Sequence, residues 1–375
     1  MEEKCLLAVF AHPDDECLGT GGVLRKYSDD GVKTALICAT RGETGEISDP
    51  ALATPETLGQ VREEELRTAC RILGISDLSF LDCPCRGVAD ADAATVTGRI
   101  VGHIRRLRPQ VVVTFDRHGF YGHIDHLAIQ RLTIAAFHQA GDPRCYPAQI
   151  TQGLQPYAPH KLYATIHRRD DLRDMRRRLQ ALGLTFQPGG TMATIPFEEM
   201  GAPDAEITTA IPLDDRQFAA KLAARTAHKT QTPARSPHNQ DPTLLRPWLG
   251  TEYFVRLSPD WPPGEQREHD LFADISRCAR TTSFLPQRLC DQPVRRHLFP
   301  GIGADVAAPL RGLRRREVCL DQHRVCRARS WIVPAMPVVP GHGRCRGHGG
   351  LGHMTLDAGG KGVPQPLERK VGISR

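Results

Sequence analysis

Four short apolar runs, each followed by a stretch with helical periodicity, constrain this chain more than any other feature. The runs are Cys5–Ala11 (CLLAVFA), Lys33–Thr40 (KTALICAT), Leu78–Leu81 and Val111–Phe115 (VVVTF). Continuous apolar runs of this length suit strands covered on both faces, the kind found in parallel sheets. Helical patterns follow at Leu18–Asp30, Pro55–Leu73, Ala94–Leu107 and Asp125–Gln139. In the second of these, Leu66, Ala69, Cys70 and Leu73 repeat at i, i+3, i+4, i+7, and Gly74 supplies the stop. The alternation predicts an α/β fold: an open, mainly parallel sheet with helices on both faces and right-handed crossovers. Further strands are expected at Leu162–Ile166, Glu206–Ile211 and Tyr253–Leu257, and a late helix at Asp214–Ala227.

Ligands of such sheets bind beyond the carboxyl ends of the strands. That rule selects His12–Glu16, Thr40–Gly45 and Asp116–His126. In the first, His-Pro-Asp-Asp-Glu emerges directly from buried strand; adjacent carboxylates there are costly unless solvated or bound to a cation. In the third, Tyr121-Gly-His123-Ile-Asp125-His126 follows the fourth strand. If strands one and four are neighbours, two histidines and a carboxylate surround one point. That set suits a catalytic zinc, which takes three protein ligands and keeps one position for water. A competing reading, a dinucleotide loop at Gly19-Thr-Gly21-Gly22, is weak, because the turn that should hold its first glycine is occupied by His-Pro-Asp-Asp.

Residues 276–375 differ in character. They carry 16 Arg and 2 Lys against 6 acidic residues, a charge of +12, which leaves residues 1–275 at −6 of the chain's +6. Two units are therefore expected: a catalytic body at 1–275, and an Arg/Gly/Pro-rich tail at 276–375 that is either disordered or an out-of-frame reading of GC-rich DNA. Cys319, Cys326, His342, Cys345 and His348 fit no compact zinc finger. The acidic body gives no reason to expect nucleic acid as a partner. No run approaches the ~20 apolar residues of a membrane helix, and Cys5–Ala11 leads into no small-residue cleavage site. The expectation is a cytoplasmic protein with a small-molecule substrate, with homo-oligomerisation left open.

AHPDDE at 11–16, TRGETGE at 40–46, REEELRTACRILG at 62–74 and YGHIDH at 121–126 together resemble the PIG-L/LmbE family of zinc-dependent N-deacetylases. The resemblance extends through KLAARTAHKTQ at 221–231 and TEYFVRL at 251–257. It implies a Rossmann-like fold and hydrolysis of an N-acyl amide, typically N-acetyl, on an amino sugar or glucosaminyl conjugate. An amidase acting on a thiol-sugar conjugate, and a non-catalytic or nucleotide-binding protein on the same fold, are the alternatives. By resemblance one zinc per chain is held by His12, Asp15 and His126. Asp14 is then the general base, His123 assists the departing amine, and Tyr121 helps hold the oxyanion. Asp125 orients a neighbouring histidine, and Arg62 and Glu43 bind substrate. Two positions depart from the family pattern. Ile124 replaces a proline, and Cys85 stands where an aspartate often reaches the sugar hydroxyls, a role for which a thiol is a poor acceptor.

Overall fold

The protein is described by a computed structural model over residues 3–189, 192–232, 241–262 and 264–275. The expectations for 276–375 lie outside the described residues.

One seven-stranded sheet organises these residues, in the order β3-β2-β1-β4-β5-β7-β6. The strands are β1 (Cys5–Phe10), β2 (Lys33–Cys38), β3 (Asp77–Phe80), β4 (Val111–Phe115), β5 (Lys161–Ile166), β6 (Thr209–Pro212) and β7 (Thr251–Ser258). The first five in that spatial order run parallel, while β7 is antiparallel to both β5 and β6. Every residue of β1 is buried. It is a central strand covered on both faces, which is why its sequence shows no alternation. Chain order reverses between β1 and β4, paired in register Leu6↔Val111 through Ala8↔Val113. Their carboxyl ends therefore open side by side at a topological switch point.

Helices cover the sheet: α1 (Asp15–Gly19), α2 (Gly21–Asp29), α3 (Leu58–Leu73), α4 (Ala93–Leu107), the short irregular α5 (Gly119–Gly122), α6 (Ile124–Gln139), α7 (Pro147–Thr151), α8 (Arg169–Ala181), α9 (Asp215–Ala227) and α10 (Pro242–Leu249). Their ends follow local chemistry. Gly74 takes the left-handed conformation that closes α3, and Asp214 with Gln217 forms a capping box on α9.

The helix expected over Leu18–Asp30 is two helices, broken at Thr20 (φ −143°). Gly19 lies against β5, where Thr165 Oγ1 donates to its carbonyl at 2.8 Å, and a Cβ on Gly19 would meet that oxygen at 2.3 Å. The break frees the first amides of α2, and Glu252 of β7 accepts from Gly22 N at 2.9 Å and Val23 N at 2.7 Å. Lys221 of α9 completes this buried group 2.9 Å from Glu252. The strand expected over Glu206–Ile211 starts only at Thr209, because Asp204–Glu206 forms a 3-10 turn after Pro203. The sequence reading also did not anticipate α8 and α10. The first has a narrow stripe, Leu172, Met175 and Leu179, in an otherwise charged segment; the second contains Pro247.

Candidate active site

The carboxyl ends of β1 and β4 deliver the two clusters to one point. His12 Nδ1 lies 3.1 Å from His126 Nε2, Asp15 Oδ1 is 3.4 Å from His126 Nε2, and Asp15 Oδ2 is 3.6 Å from His12 Nδ1. The outer nitrogens are engaged elsewhere. His12 Nε2 donates to Asp125 Oδ2 at 3.1 Å and His126 Nδ1 donates to the Gly119 carbonyl at 3.1 Å. Each bond fixes a tautomer whose lone pair faces the other ring and Asp15, the usual outer-shell arrangement of a metal-binding histidine. Asp125, fully buried, also accepts Arg86 N at 2.5 Å and Val88 N at 3.1 Å, so the loop after β3 is tied to His12 through one carboxylate.

Electrostatics support a cation here. Burial opposes charging His12, but hydrogen bonds to Asp125 and Asp15 outweigh it and hold its pKa well above the ordinary value. Burial likewise opposes ionisation of Asp15, yet the nearby His126 and His12 keep its carboxyl well below the usual range. His126, deep against Phe115 with stacked rings 4.1 Å apart, is pushed down to about 3 by burial, with His12 adding to the effect. Asp15 and Asp125 thus draw positive charge to the point between the rings, beside neutral His126: a second proton on His12 Nδ1, or a metal ion in that proton's place.

Asp14 adopts φ 113°, uncommon for a non-glycine residue. Glu16 Oε2 accepts the Asp14 amide at 3.0 Å. Glu16 is itself buried and accepts from His228 Nε2 at 2.8 Å and the Cys17 thiol at 2.7 Å. The Asp14 carboxylate meets Arg225 Nη1 at 3.1 Å and lies 3.6 Å from Arg62 Nη2. Arg62 also donates to the carbonyls of Pro13 at 2.6 Å and Gly42 at 2.9 Å, joining the loops after β1 and β2.

His123 caps α6 and accepts the Asp125 amide on Nδ1 at 3.2 Å, which leaves Nε2 as the protonated nitrogen of the neutral ring. Burial, then the nearby His12 charge, lowers its pKa. The Tyr121 ring lies 5.1 Å from that of His126 and 6.1 Å from that of His123; burial, then Asp15 and Asp14, pushes its phenol well up. The preceding Phe120 has φ 64° and ψ −62°, and buried Asp116 accepts its amide at 2.8 Å.

A cavity of about 430 Å³ opens on this constellation, within the range of small-molecule sites. His12, Asp14, Asp15, Arg62, Tyr121 and His123 line it, and so does Cys85. His126 and Asp125 sit behind that lining, and Glu43 does not reach it either. The Glu43 carboxylate accepts the Cys85 amide at 2.8 Å, so it props the loop on which Cys85 stands. Burial opposes ionisation of Cys85, but hydrogen bonding and the charge of His12 bring its thiol pKa below the ordinary value. Sequence reasoning passed over Glu16, Arg225 and His228. The only trace of the last two was the segment KLAARTAHKTQ, which contains both.

Two histidines and a carboxylate facing one another beside a second aspartate and a third histidine, in a crevice of an open α/β sheet, form a donor set that could hold a metal ion. Comparison with known proteins gives the family. A model described as "PIG-L: GlcNAc-PI de-N-acetylase" matches residues 7–137. The chain is 33% identical over 313 residues to a 1D-myo-inositol 2-acetamido-2-deoxy-alpha-D-glucopyranoside deacetylase of Kineococcus radiotolerans, covering 73% of this chain and 84% of that one. It is 36% identical over 298 residues to the enzyme of that name from Acidothermus cellulolyticus, covering 72% and 95%. The N,N'-diacetylchitobiose deacetylase of Pyrococcus horikoshii shares the fold, with a TM-score of 0.51 at 20% identity over 68% of this chain and 84% of that one. The chain belongs to the PIG-L family of N-deacetylases, which hydrolyse N-acetyl amides of amino-sugar conjugates.

Proposed function

We propose that the chain is a zinc-dependent N-deacetylase of a glucosaminyl conjugate, working on a small polar substrate in the cytoplasm, with one zinc held by His12, Asp15 and His126. One observation carries the metal assignment. Tetrahedral zinc with bonds of ~2.0–2.1 Å has ligand–ligand edges of about 3.4 Å. His12 Nδ1 lies 3.1 Å and Asp15 Oδ1 3.4 Å from His126 Nε2, while the other Asp15 oxygen, Oδ2, lies 3.6 Å from His12 Nδ1. Ring nitrogens and a carboxylate oxygen are the donors zinc prefers, and both rings are held in the required tautomer.

When bound, the metal polarises the acyl carbonyl and acidifies a water toward neutrality. The remaining work falls to side chains. Asp14 accepts the proton of the attacking water; Arg225 and Arg62 keep its carboxylate placed, and Glu16 holds its backbone. Tyr121 donates to the carbonyl oxygen as negative charge develops there. The proton taken up by Asp14 is the one the departing amine receives, and His123 assists that departure with a hydrogen bond donated from Nε2 of its neutral ring. Asp125 sets the orientation of His12. The polar part of the cavity, with Arg62, Arg225 and Gln231, receives the sugar. Glu43 supports this indirectly, through the Cys85 loop.

The active unit is residues 1–275, and the tail adds nothing to it.

The experiment is release of free amine from N-acetylglucosaminyl-inositol and simple N-acetylglucosaminides, before and after stripping with a chelator. Activity should vanish on stripping and return with stoichiometric zinc. Undiminished turnover by metal-free protein would overturn the reading.

A further inference from the structure

The polar half of the cavity is accounted for by the sugar; the other half is not. Phe120, Ile166, Leu172, Phe186, Met200 and Trp248 line that half. They come from α5, β5, α8, the stretch after α8, and α10, and none is more than 8% exposed. They form a continuous wall. The ring of Phe186 lies 4.9 Å from that of Trp248, Trp248 lies 6.0 Å from His167, and His167 lies 5.3 Å from Phe120. Phe120 is in turn 6.5 Å from His126, ring to ring. The wall therefore runs from the metal-facing histidine to α10.

This is more apolar surface than a sugar uses. Stacking a sugar ring takes one aromatic face, whereas side chains from five separate parts of the chain make an enclosed arm. A polar side chain, His167, stands within the wall. Its ring makes no hydrogen bond to the protein among the described residues, and it borders the cavity. Burial, with the Lys221 ammonium adding to it, pushes its pKa down to about 3, so it is neutral at any working pH.

The two sides of the scissile amide differ in chemistry. The amine side of an amino-sugar amide is covered in hydroxyls and matches the wall that contains Asp14, Arg62, Arg225 and Gln231. The acyl side is carbon. An acetyl group would leave most of the apolar arm unused.

We propose that the arm takes the acyl group of a further class of substrate: amino-sugar amides with an acyl chain longer than acetyl, apolar along its body, carrying a polar atom within hydrogen-bond reach of His167. The proposal rests on the amide-hydrolase reading above and extends it to the acyl side. The step is ordinary hydrolysis. The acyl C–N bond breaks, the water oxygen bonds to the acyl carbon, and the products are a carboxylate and a protonated amine.

The test is a series of N-acetyl, N-butanoyl and N-hexanoyl amides of one glucosaminide, assayed with the full, zinc-loaded chain. Each added methylene buried in an apolar site is worth up to about fourfold. The expected result is kcat/KM rising at least tenfold from acetyl to hexanoyl, chiefly through KM. A flat or falling series, with the acetyl amide still hydrolysed, overturns the proposal. Binding of the product acids, followed by calorimetry, gives a readout that needs no turnover. Hexanoate should bind at least tenfold tighter than acetate, and equal affinity overturns the arm. Selective hexanoate binding with no amide hydrolysed would leave the arm standing and sink the hydrolase reading instead. For His167, a 5-oxohexanoyl amide should be preferred over hexanoyl by the wild type and not by H167F. A preference that survives in H167F removes His167 from the proposal.

Discussion

Replacing Asp125 with asparagine tests how much of the metal site is built from outside it. The Asp125 carboxylate is fully buried and accepts three hydrogen bonds: His12 Nε2 at 3.1 Å and Arg86 N at 2.5 Å on one oxygen, Val88 N at 3.1 Å on the other. An amide has only one oxygen. If that oxygen faces Val88, the new NH2 faces His12, whose proton must move to Nδ1, the nitrogen that should bind metal. Outer-shell changes of this kind cost roughly 10–100-fold in metal affinity, or about 1.4–2.7 kcal/mol. If the oxygen faces His12 instead, the NH2 opposes the Val88 N–H and two donors are buried without acceptors. That costs about 1–3 kcal/mol of folding stability. Competition against a chromophoric chelator gives the zinc affinity of D125N, and denaturant unfolding of the metal-free protein gives its stability. At least one should fall by the amounts stated. Wild-type values for both would refute the view that this carboxylate orients His12 and anchors the Arg86–Val88 loop.

Asp116 carries a pH-dependent prediction. Burial raises its pKa from 3.8 to about 6, and its Oδ2 has no hydrogen-bond partner. A raised acid pKa means the folded state binds the proton more tightly, so its contribution to stability is present below pH 3.8 and is lost as pH rises through 6. The loss is about 3 kcal/mol, and D116N should therefore gain on wild type by up to that amount between pH 4 and pH 7 in urea unfolding; a gain that does not grow with pH contradicts this. In E252A, Lys221 loses its buried partner and the Gly22 and Val23 amides lose their acceptor, so unfolding free energy should drop by about 3–5 kcal/mol; a drop under ~1 kcal/mol would mean that the pair behaves as a surface ion pair. Deleting residues 276–375 should leave the melting transition and turnover near those of the full chain, and aggregation or loss of most activity would show that the tail belongs to the folded body.

Much of the site was legible because it follows directly from strands that announce themselves. Buried β1 ends at Phe10, two residues before His12, and β4 ends at Phe115 before Asp116, so the switch-point rule locates His12 and His126 once β1 and β4 pair. What was not legible depends on distance in sequence. The bond from Arg225 to Asp14 spans 211 residues and that from His228 to Glu16 spans 212, and no local pattern encodes either. The apolar arm was invisible for another reason. Leu172, Met200 and Trp248 are individually ordinary core residues, and only their meeting beside His167 makes a wall. The break at Thr20 was missed because Gly19 and Gly21 read as mere weakness in a helix, whereas the close approach of Thr165 requires the glycine at 19.

The central claim is that adjacent carboxylates do different work: Asp15 binds metal and Asp14 handles the proton. The most direct measurement is activity as a function of zinc concentration for D14N and D15N. D14N should bind zinc as wild type does, because its ligands are untouched, yet lose roughly 10²–10⁴-fold in rate at every concentration. D15N should need far more zinc and recover part of its activity as zinc is raised, since a neutral amide oxygen is the poorer partner for a dication. Rescue of D14N by zinc, with D15N unresponsive, would show that the two roles are reversed.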